Sequence, residues 1–276
     1  MQEFQPRPLL DGLVFPEGPR WHNERLWFSD MHAHAVFTVD LEGKQERVAN
    51  VPERPSGLGF LPDGRLLVVS MRDRRLLRLD PDVLREHANL MDVAAGDLND
   101  MVVDDQGRAY VGNFGFDYNA GGALAPANIV MVQPNGAVRV VADDLLFPNG
   151  PIITPDGKTF IVAETFGRRL TAFDIEDDGG LTNRRVFAEF DAATPDGICR
   201  DADGEIWVGS PSTEEFVRVR EGGEVTARIA TPGRWAVACA MGGPGGRTLF
   251  LLTAETSQPE LAKGNSKGWI EVVDEV

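Results

Sequence analysis

The sequence predicts an all-β fold: a six-bladed β-propeller with four antiparallel strands per blade and an N-terminal strand closing the last blade. Three observations predict it. A hairpin plan occurs six times, its copies are spaced at the length of a propeller blade, and one short apolar run ahead of the first copy has no blade of its own.

Four copies of the plan are plain: PSGLGFLPDGRLLVVSM, LNDMVVDDQGRAYVGNF, PNGPIITPDGKTFIVAET and PDGICRDADGEIWVGSP. Each runs from a polar start through an apolar strand and a tight turn into a second apolar strand. The distance from the polar start to the residue before the turn glycine is constant. Ser56 to Asp63, Asn99 to Gln106, Asn149 to Asp156 and Asp196 to Asp203 are each seven residues apart. PEGPRWHNERLWFSD fits from Glu17, with His22-Asn23-Glu24 at the turn, and WAVACAMGGPGGRTLFLLTAE is a looser sixth copy with Val237 at the polar position. Starts at 17, 56, 99, 149, 196 and 237 lie 39, 43, 50, 47 and 41 residues apart.

Asp-Gly between two β-rich runs is a strong hairpin signal, because Gly tolerates the positive φ that such turns need. A third strand follows each hairpin, as in AVFTVD, RLLRLD, RLTAFDI and FVRVRE, and a fourth short run such as RVAN or RVFAEF precedes the next copy. None of these runs holds helical periodicity over a useful length, which excludes a helical solenoid. The run PLLDGLVF is expected to be the outer strand of blade six, pinning the two termini together and removing a free sheet edge. Residues 1–276 are then expected to form one propeller domain.

A chain of 276 residues suffices for one large all-β domain, and a 42% hydrophobic share without low-complexity tracts is that of a globular protein. The net charge of -16 argues against nucleic acid, whose binding depends on Lys and Arg neutralising phosphates, and against an anionic membrane surface. The N-terminal residues carry no basic stretch followed by an apolar run, and no segment reaches the length of a membrane span, so a cytoplasmic location is expected. Cys199 and Cys239 sit in the apolar runs GICR and VACAM, which predicts buried, inert thiols rather than a disulfide or a nucleophile.

In a propeller the first strand of each blade lines the central channel, so the six polar starts converge on one end of it. That set is Glu17, Ser56, Asn99, Asn149, Asp196 and Val237. Carboxylates so placed repel one another unless a cation sits between them. Two carboxylates and an amide carbonyl, with no Cys or His, form a hard-oxygen set suited to Ca²⁺, with Mg²⁺, Mn²⁺ and Zn²⁺ left open. Pro-Asn-Gly and Pro-Asp-Gly also read as ordinary turns. Pro-Glu-Gly does not, because Glu is not a turn former, and Glu17 in register with Asn149 and Asp196 needs a reason such as coordination.

From FPEGPRW through LNDMVVD, FPNG and PDGICRDADGEIWVG to ACAMGGPGGRTLFLLTAE, the chain resembles the senescence-marker-protein, gluconolactonase and luciferin-regenerating-enzyme family of six-bladed propellers. The resemblance runs over nearly its whole length. It implies one divalent cation at the channel mouth held by Glu17, Asn149 and Asp196, with Asn99 contacting metal-bound water or substrate, and it implies lactone hydrolysis. Family members that act on sugar lactones carry Arg-x-Asn-Asp at the start of blade three, the Arg reaching a hydroxyl-rich substrate. This chain reads Asp97-Leu98-Asn99-Asp100 there.

The expected chemistry is attack by a cation-activated water on a lactone or ester carbonyl, with Asp196 as general base and Asn99 orienting water or substrate. Second strands return to the metal end, so the loops after them rim the pocket: residues 30–34, 71–75, 113–128, 164–168, 210–215 and 255–267. Beside Asp97 and Asn99, the rim supplies Met31, His32, Phe114, Phe116 and Phe166, a more apolar set than a polyol needs. An aliphatic or aromatic lactone, or a simple ester, is the expected substrate class. Residues 113–128, NFGFDYNAGGALAPAN, are the longest insertion and are expected to act as a lid, with Asp117 and Tyr118 in reach of substrate. His32 and His34 also read as solvated loop residues. Two other readings of a propeller stay open: a strictosidine-synthase-like, metal-free and non-hydrolytic enzyme, and a non-catalytic module binding a protein or glycan across its top face.

Overall fold

Six four-stranded antiparallel sheets stand in a ring in the computed structural model, which describes residues 4–276. Blade one runs through Pro16–His22, Arg25–Asp30, Ala35–Val39 and Gln45–Asn50 from the channel outward. The innermost strands of the next four blades are Pro55–Phe60, Leu98–Val103, Pro148–Ile153 and Ile198–Arg200. Blade six is built from Trp235–Gly242, Thr248–Glu255 and Lys267–Val273, and its fourth strand is Arg7–Leu13 from the other end of the chain. The ring closes where Trp235–Gly242 packs against Pro16–His22. The expectation for PLLDGLVF is met, and an Arg7–Asp274 ion pair of 2.8 Å lies at the seam.

At the end of the channel away from the polar starts, the hairpins turn on glycines in the left-handed region, Gly64 at φ +83° and Gly204 at φ +89° among them. Blade one turns without glycine, because Asn23 and Glu24 both take positive φ, 49° and 59°. Blades pack face to face, so strands such as Leu66–Ser70, Ala109–Asn113 and Ile206–Ser210 are buried at every residue. That double coverage explains why these strands read as continuous apolar runs rather than as alternation. Trp207, Tyr110 and Phe28 are the bulkiest fully buried side chains between blades.

Cys199 and Cys239 lie on the innermost strands of blades five and six, buried and free, with their sulfurs 3.4 Å apart. No helix among the described residues is long and apolar enough to cross a membrane.

Candidate functional site

Four of the six starts, Glu17, Asn99, Asn149 and Asp196, meet at one mouth of the channel, three of them on innermost strands that bulge there and Asp196 just ahead of its strand. Pairing of the first with the second strand slips between Glu17 and Arg20 in blade one, between Leu98 and Met101 in blade three and between Pro148 and Pro151 in blade four. A β-bulge re-aims a side chain that the regular pleat would send into a sheet interface. The glycines that follow serve this close approach. A Cβ on Gly150 would stand 2.7 Å from the Gly197 Cα, and one on Gly197 would stand 2.4 Å from the Ala238 Cβ. The adjoining strands are tied by Gly150 N–H to Asp196 O at 3.2 Å and Gly197 N–H to Val237 O at 2.8 Å. Pro-Asn-Gly and Pro-Asp-Gly are therefore not turns here, since their glycines hold neighbouring backbones together at the mouth.

Glu17, Asn99, Asn149 and Asp196 line one chamber of about 290 Å³. Glu17, Asn99 and Asn149 are buried, whereas Asp196 keeps part of its surface open to the chamber. Asn99 donates its Nδ2 to Pro148 O at 3.1 Å, and Asn149 donates its own to Thr165 Oγ1 at 3.2 Å. Each amide thus keeps its Oδ1 uncommitted. Glu17 Oε2 and the Ser56 hydroxyl are buried without a hydrogen-bond partner.

Electrostatics single out the same residues. Burial, with the Asp100 charge adding to it, pushes the Glu17 carboxyl up to about 8. Burial and then the charges of Glu17 and Asp100 push Asp196 well above the usual carboxylate range. Asp100, the third acid, has a partner: Arg20 reaches its Oδ1 at 3.0 Å and the Met101 N–H donates to it at 2.7 Å.

Glu164 shows what a buried carboxylate looks like when the protein satisfies it. Burial pushes Glu164 up, but Arg169 (2.8 Å), the Thr171 hydroxyl (2.5 Å) and the Leu146 N–H (2.8 Å) outweigh that and hold it below its ordinary value. Glu17 and Asp196 have only Ser56 and Asn149 beside them to offset burial, and no cationic side chain. Among the described residues no three His, Cys, Asp or Glu side chains cluster to hold a metal. The chain's contribution is two carboxylates and amide oxygens, a set that fits a hard divalent cation with waters completing its shell.

All six loops expected at the rim reach the chamber, through Met31, Met71, Phe114, Phe166, Ser212 and Leu261. Above it opens a vestibule of about 540 Å³ lined by His32, Asp97 and Phe116 and, again, by Met31, Phe114 and Phe166. His32 is thus a wall residue rather than a solvated one. Asp117 is the exception among the expected substrate contacts. It is exposed, and its Oδ1 accepts the Ala120 N–H at 3.0 Å, so its carboxylate closes a turn of its own loop. Within the 113–128 segment, Phe114 stacks on Phe147 at 4.3 Å and Tyr118 lies 5.3 Å from the same ring, while residues 119–124 are exposed.

Several lining residues escape the sequence reading. Phe15 and Phe147 face the chamber from the positions directly before Pro-Glu-Gly and Pro-Asn-Gly, and that shared Phe was a usable signal. The rim segment 255–267 contains a one-turn helix, Gln258–Ala262, whose Gln258 and Leu261 reach both cavities. Ser257, Pro259 and Glu260 carry a helix-start pattern. Trp235, Thr165 and Arg54 left no such trace.

The family model described as SMP-30/Gluconolactonase/LRE-like region matches residues 15–255. The pentonolactonase XacC of Haloferax volcanii is 29% identical over 244 residues, covering 86% of this chain and 81% of that protein. A 6-deoxy-6-sulfogluconolactonase of Pseudomonas putida is 24% identical over 258 residues, covering 89% and 85%. Among solved structures, a gluconolactonase of Xanthomonas campestris superposes with a TM-score of 0.75 at 25% identity, covering 96% of this chain and 88% of that one.

Proposed function

The chain belongs to the SMP-30/gluconolactonase/LRE-like family, and from that premise we propose that it is a divalent-cation-dependent hydrolase that opens lactones. One observation carries the reading: Glu17 and Asp196 share a chamber, deep in the protein, with no protein cation to neutralise them. Glu17, Asn149 and Asp196 would hold the ion, with Ca²⁺ favoured by the oxygen-only set and Mg²⁺, Mn²⁺ and Zn²⁺ as alternatives. When bound, a divalent cation supplies a Lewis acid for the carbonyl oxygen and lowers the pKa of a coordinated water.

The remaining work falls to side chains. Asp196, the one acid of the set partly open to the chamber, takes the proton of the attacking water and returns it to the leaving alkoxide. Asn99, its Nδ2 committed to Pro148 O, presents Oδ1 as acceptor for a water or substrate hydroxyl. Phe15, Phe114, Phe147 and Phe166 line the chamber and give it an apolar wall. The names of the relatives support lactone opening. The apolar wall and the Asp97 position support a lactone or simple ester with an apolar body over a polyol.

The test is hydrolysis of a panel of sugar lactones, γ- and δ-alkyl lactones and aryl esters, with several divalent ions and after thorough chelation. Turnover of alkyl lactones that chelation removes and a divalent ion restores is the expected result. Activity untouched by chelation would sink the cation-dependent reading, and fast turnover of gluconolactone alone would sink the apolar-substrate reading.

A further inference from the structure

An arginine, Arg54, lines the vestibule. Arg54 sits just ahead of the innermost strand of blade two with its backbone in the left-handed region, at φ 69°. Its N–H donates to Val51 O at 3.2 Å, and its carbonyl accepts the Met71 N–H at 2.9 Å, so the strained conformation is held from both sides. The side chain is half-buried and lines the vestibule, and its Nε is buried without a hydrogen-bond partner. His32 lines the same cavity from blade one, and its Nε2 is likewise buried and unpartnered.

Charges of both signs surround Arg54: Asp97 and Glu53 attract it and Arg72 repels it, but neither acid lies within ion-pair distance of its guanidinium. Arg54, Arg72 and Arg74 all act on Asp97, and Asp117 opposes them. Asp97 Oδ2 accepts Asn119 Nδ2 at 3.0 Å, and no hydrogen bond joins Asp97 to Arg54 among the described residues. Burial, followed by the charge of Arg54, pushes the His32 imidazole down to about 4, so it is neutral at pH 7 and free to donate or accept. A buried guanidinium N–H left unpaired is costly, and a neutral hydroxyl would satisfy one donor without forming a direct ion pair. A carboxylate matches both the charge and the planar fork.

Resting on the lactone-hydrolase reading, we propose that the vestibule is an anion subsite in which Arg54 and His32 hold a carboxylate carried by the substrate at the end remote from the lactone ring. The substrate class is then a lactone with an apolar body, seated among the phenylalanines, and a terminal carboxylate.

The experiment compares kcat/KM for a γ-lactone whose alkyl side chain ends in a carboxylate with that for its carboxamide counterpart, in the wild type, Arg54→Gln and Arg54→Lys. The wild type favours the acid by about 10-fold or more, Arg54→Gln brings the ratio close to one, and Arg54→Lys falls between. Because a ratio is read, partial misfolding of a variant cancels. A wild-type ratio near one, or the same ratio in Arg54→Gln, overturns the subsite. Calorimetric binding of hexanoate against hexanamide reads it without turnover: a hexanoate preference lost in Arg54→Gln supports it, and an equal preference in both proteins overturns it. If the wild type opens neither lactone, the hydrolase reading fails and the binding result alone decides the subsite.

Discussion

Blade five contains the dipeptide Asp-Gly twice, at Asp196-Gly197 and at Asp203-Gly204, seven residues apart. Gly204 turns the hairpin at φ +89°, and the Asp203 side chain beside it is 78% exposed and pairs with Arg218 at 2.8 Å. Gly197 needs no positive φ. It is glycine because the Ala238 backbone passes where a Cβ would stand, and the Asp196 beside it lies in the chamber with Glu17. Identical chemistry at the sequence level thus serves a turn at one end of a strand and a binding position at the other. What separates them is the neighbouring blade.

Substitutions at the two copies should diverge accordingly. Asp196→Asn should lower lactone kcat by about 10²–10⁴-fold, whereas Asp203→Asn should leave it within about twofold. Steady-state rates with saturating cation check this, and equal losses would erase the distinction. Gly197→Ala should destabilise by about 3 kcal/mol, since its Cβ would lie 2.4 Å from the Ala238 Cβ in a packed ring. Gly204→Ala should cost about 1 kcal/mol, the strain of positive φ, because its nearest neighbour is the movable end of Arg200. Urea denaturation of both variants measures the gap.

The mouth should also respond to pH in the opposite sense to Glu164. The Glu17 pKa is raised on folding from 4.5 to about 8, so the folded state holds its proton more tightly. In the presence of chelator, stability should therefore fall as pH rises from 4.5 towards 8, by about 4 kcal/mol. Glu17→Gln should flatten that slope. Glu164, whose pKa is lowered, contributes stability that is present above 4.5 and lost as pH falls below it. Thermal melts across pH with and without added Ca²⁺ test both signs, and a Glu17→Gln protein with an unchanged alkaline slope would break the contrast. The smallest effect belongs to Asp203→Ala, within about 0.5 kcal/mol in the same denaturation series, because an exposed ion pair contributes little.

Much of the architecture was legible because a propeller repeats its instructions. Six hairpins in register reveal blade number and strand order, and an orphan run reveals the closure. Glu17 was legible for a different reason: it is a residue that turn chemistry cannot explain. The role of Gly150 and Gly197 was misleading, since Asn-Gly and Asp-Gly carry the same letters whether they turn a chain or let two strands touch. Asp117 reads as a substrate contact because it sits in a pocket-side loop, yet its carboxylate turns back onto the Ala120 N–H. Loop side chains take their direction from non-repeating contacts, which leave no periodic trace.

The sequence by itself determined the blades, their closure by Arg7–Leu13 and the convergence of Glu17, Asn99, Asn149 and Asp196, because apolar runs, turn chemistry and repeat spacing are local properties written in the chain. Only the tertiary structure decided which polar groups go unsatisfied. Glu17 Oε2 and Arg54 Nε lack partners, while Glu164, equally acidic and fully buried, is held by residues from its own strand pair and from the segments before and after it. Satisfaction of a buried charge depends on every neighbour within a few ångströms: Glu164 finds its partners within its own blade and the segment leading into it, whereas the groups facing Glu17, such as Asp100 and Asp196, come from other blades.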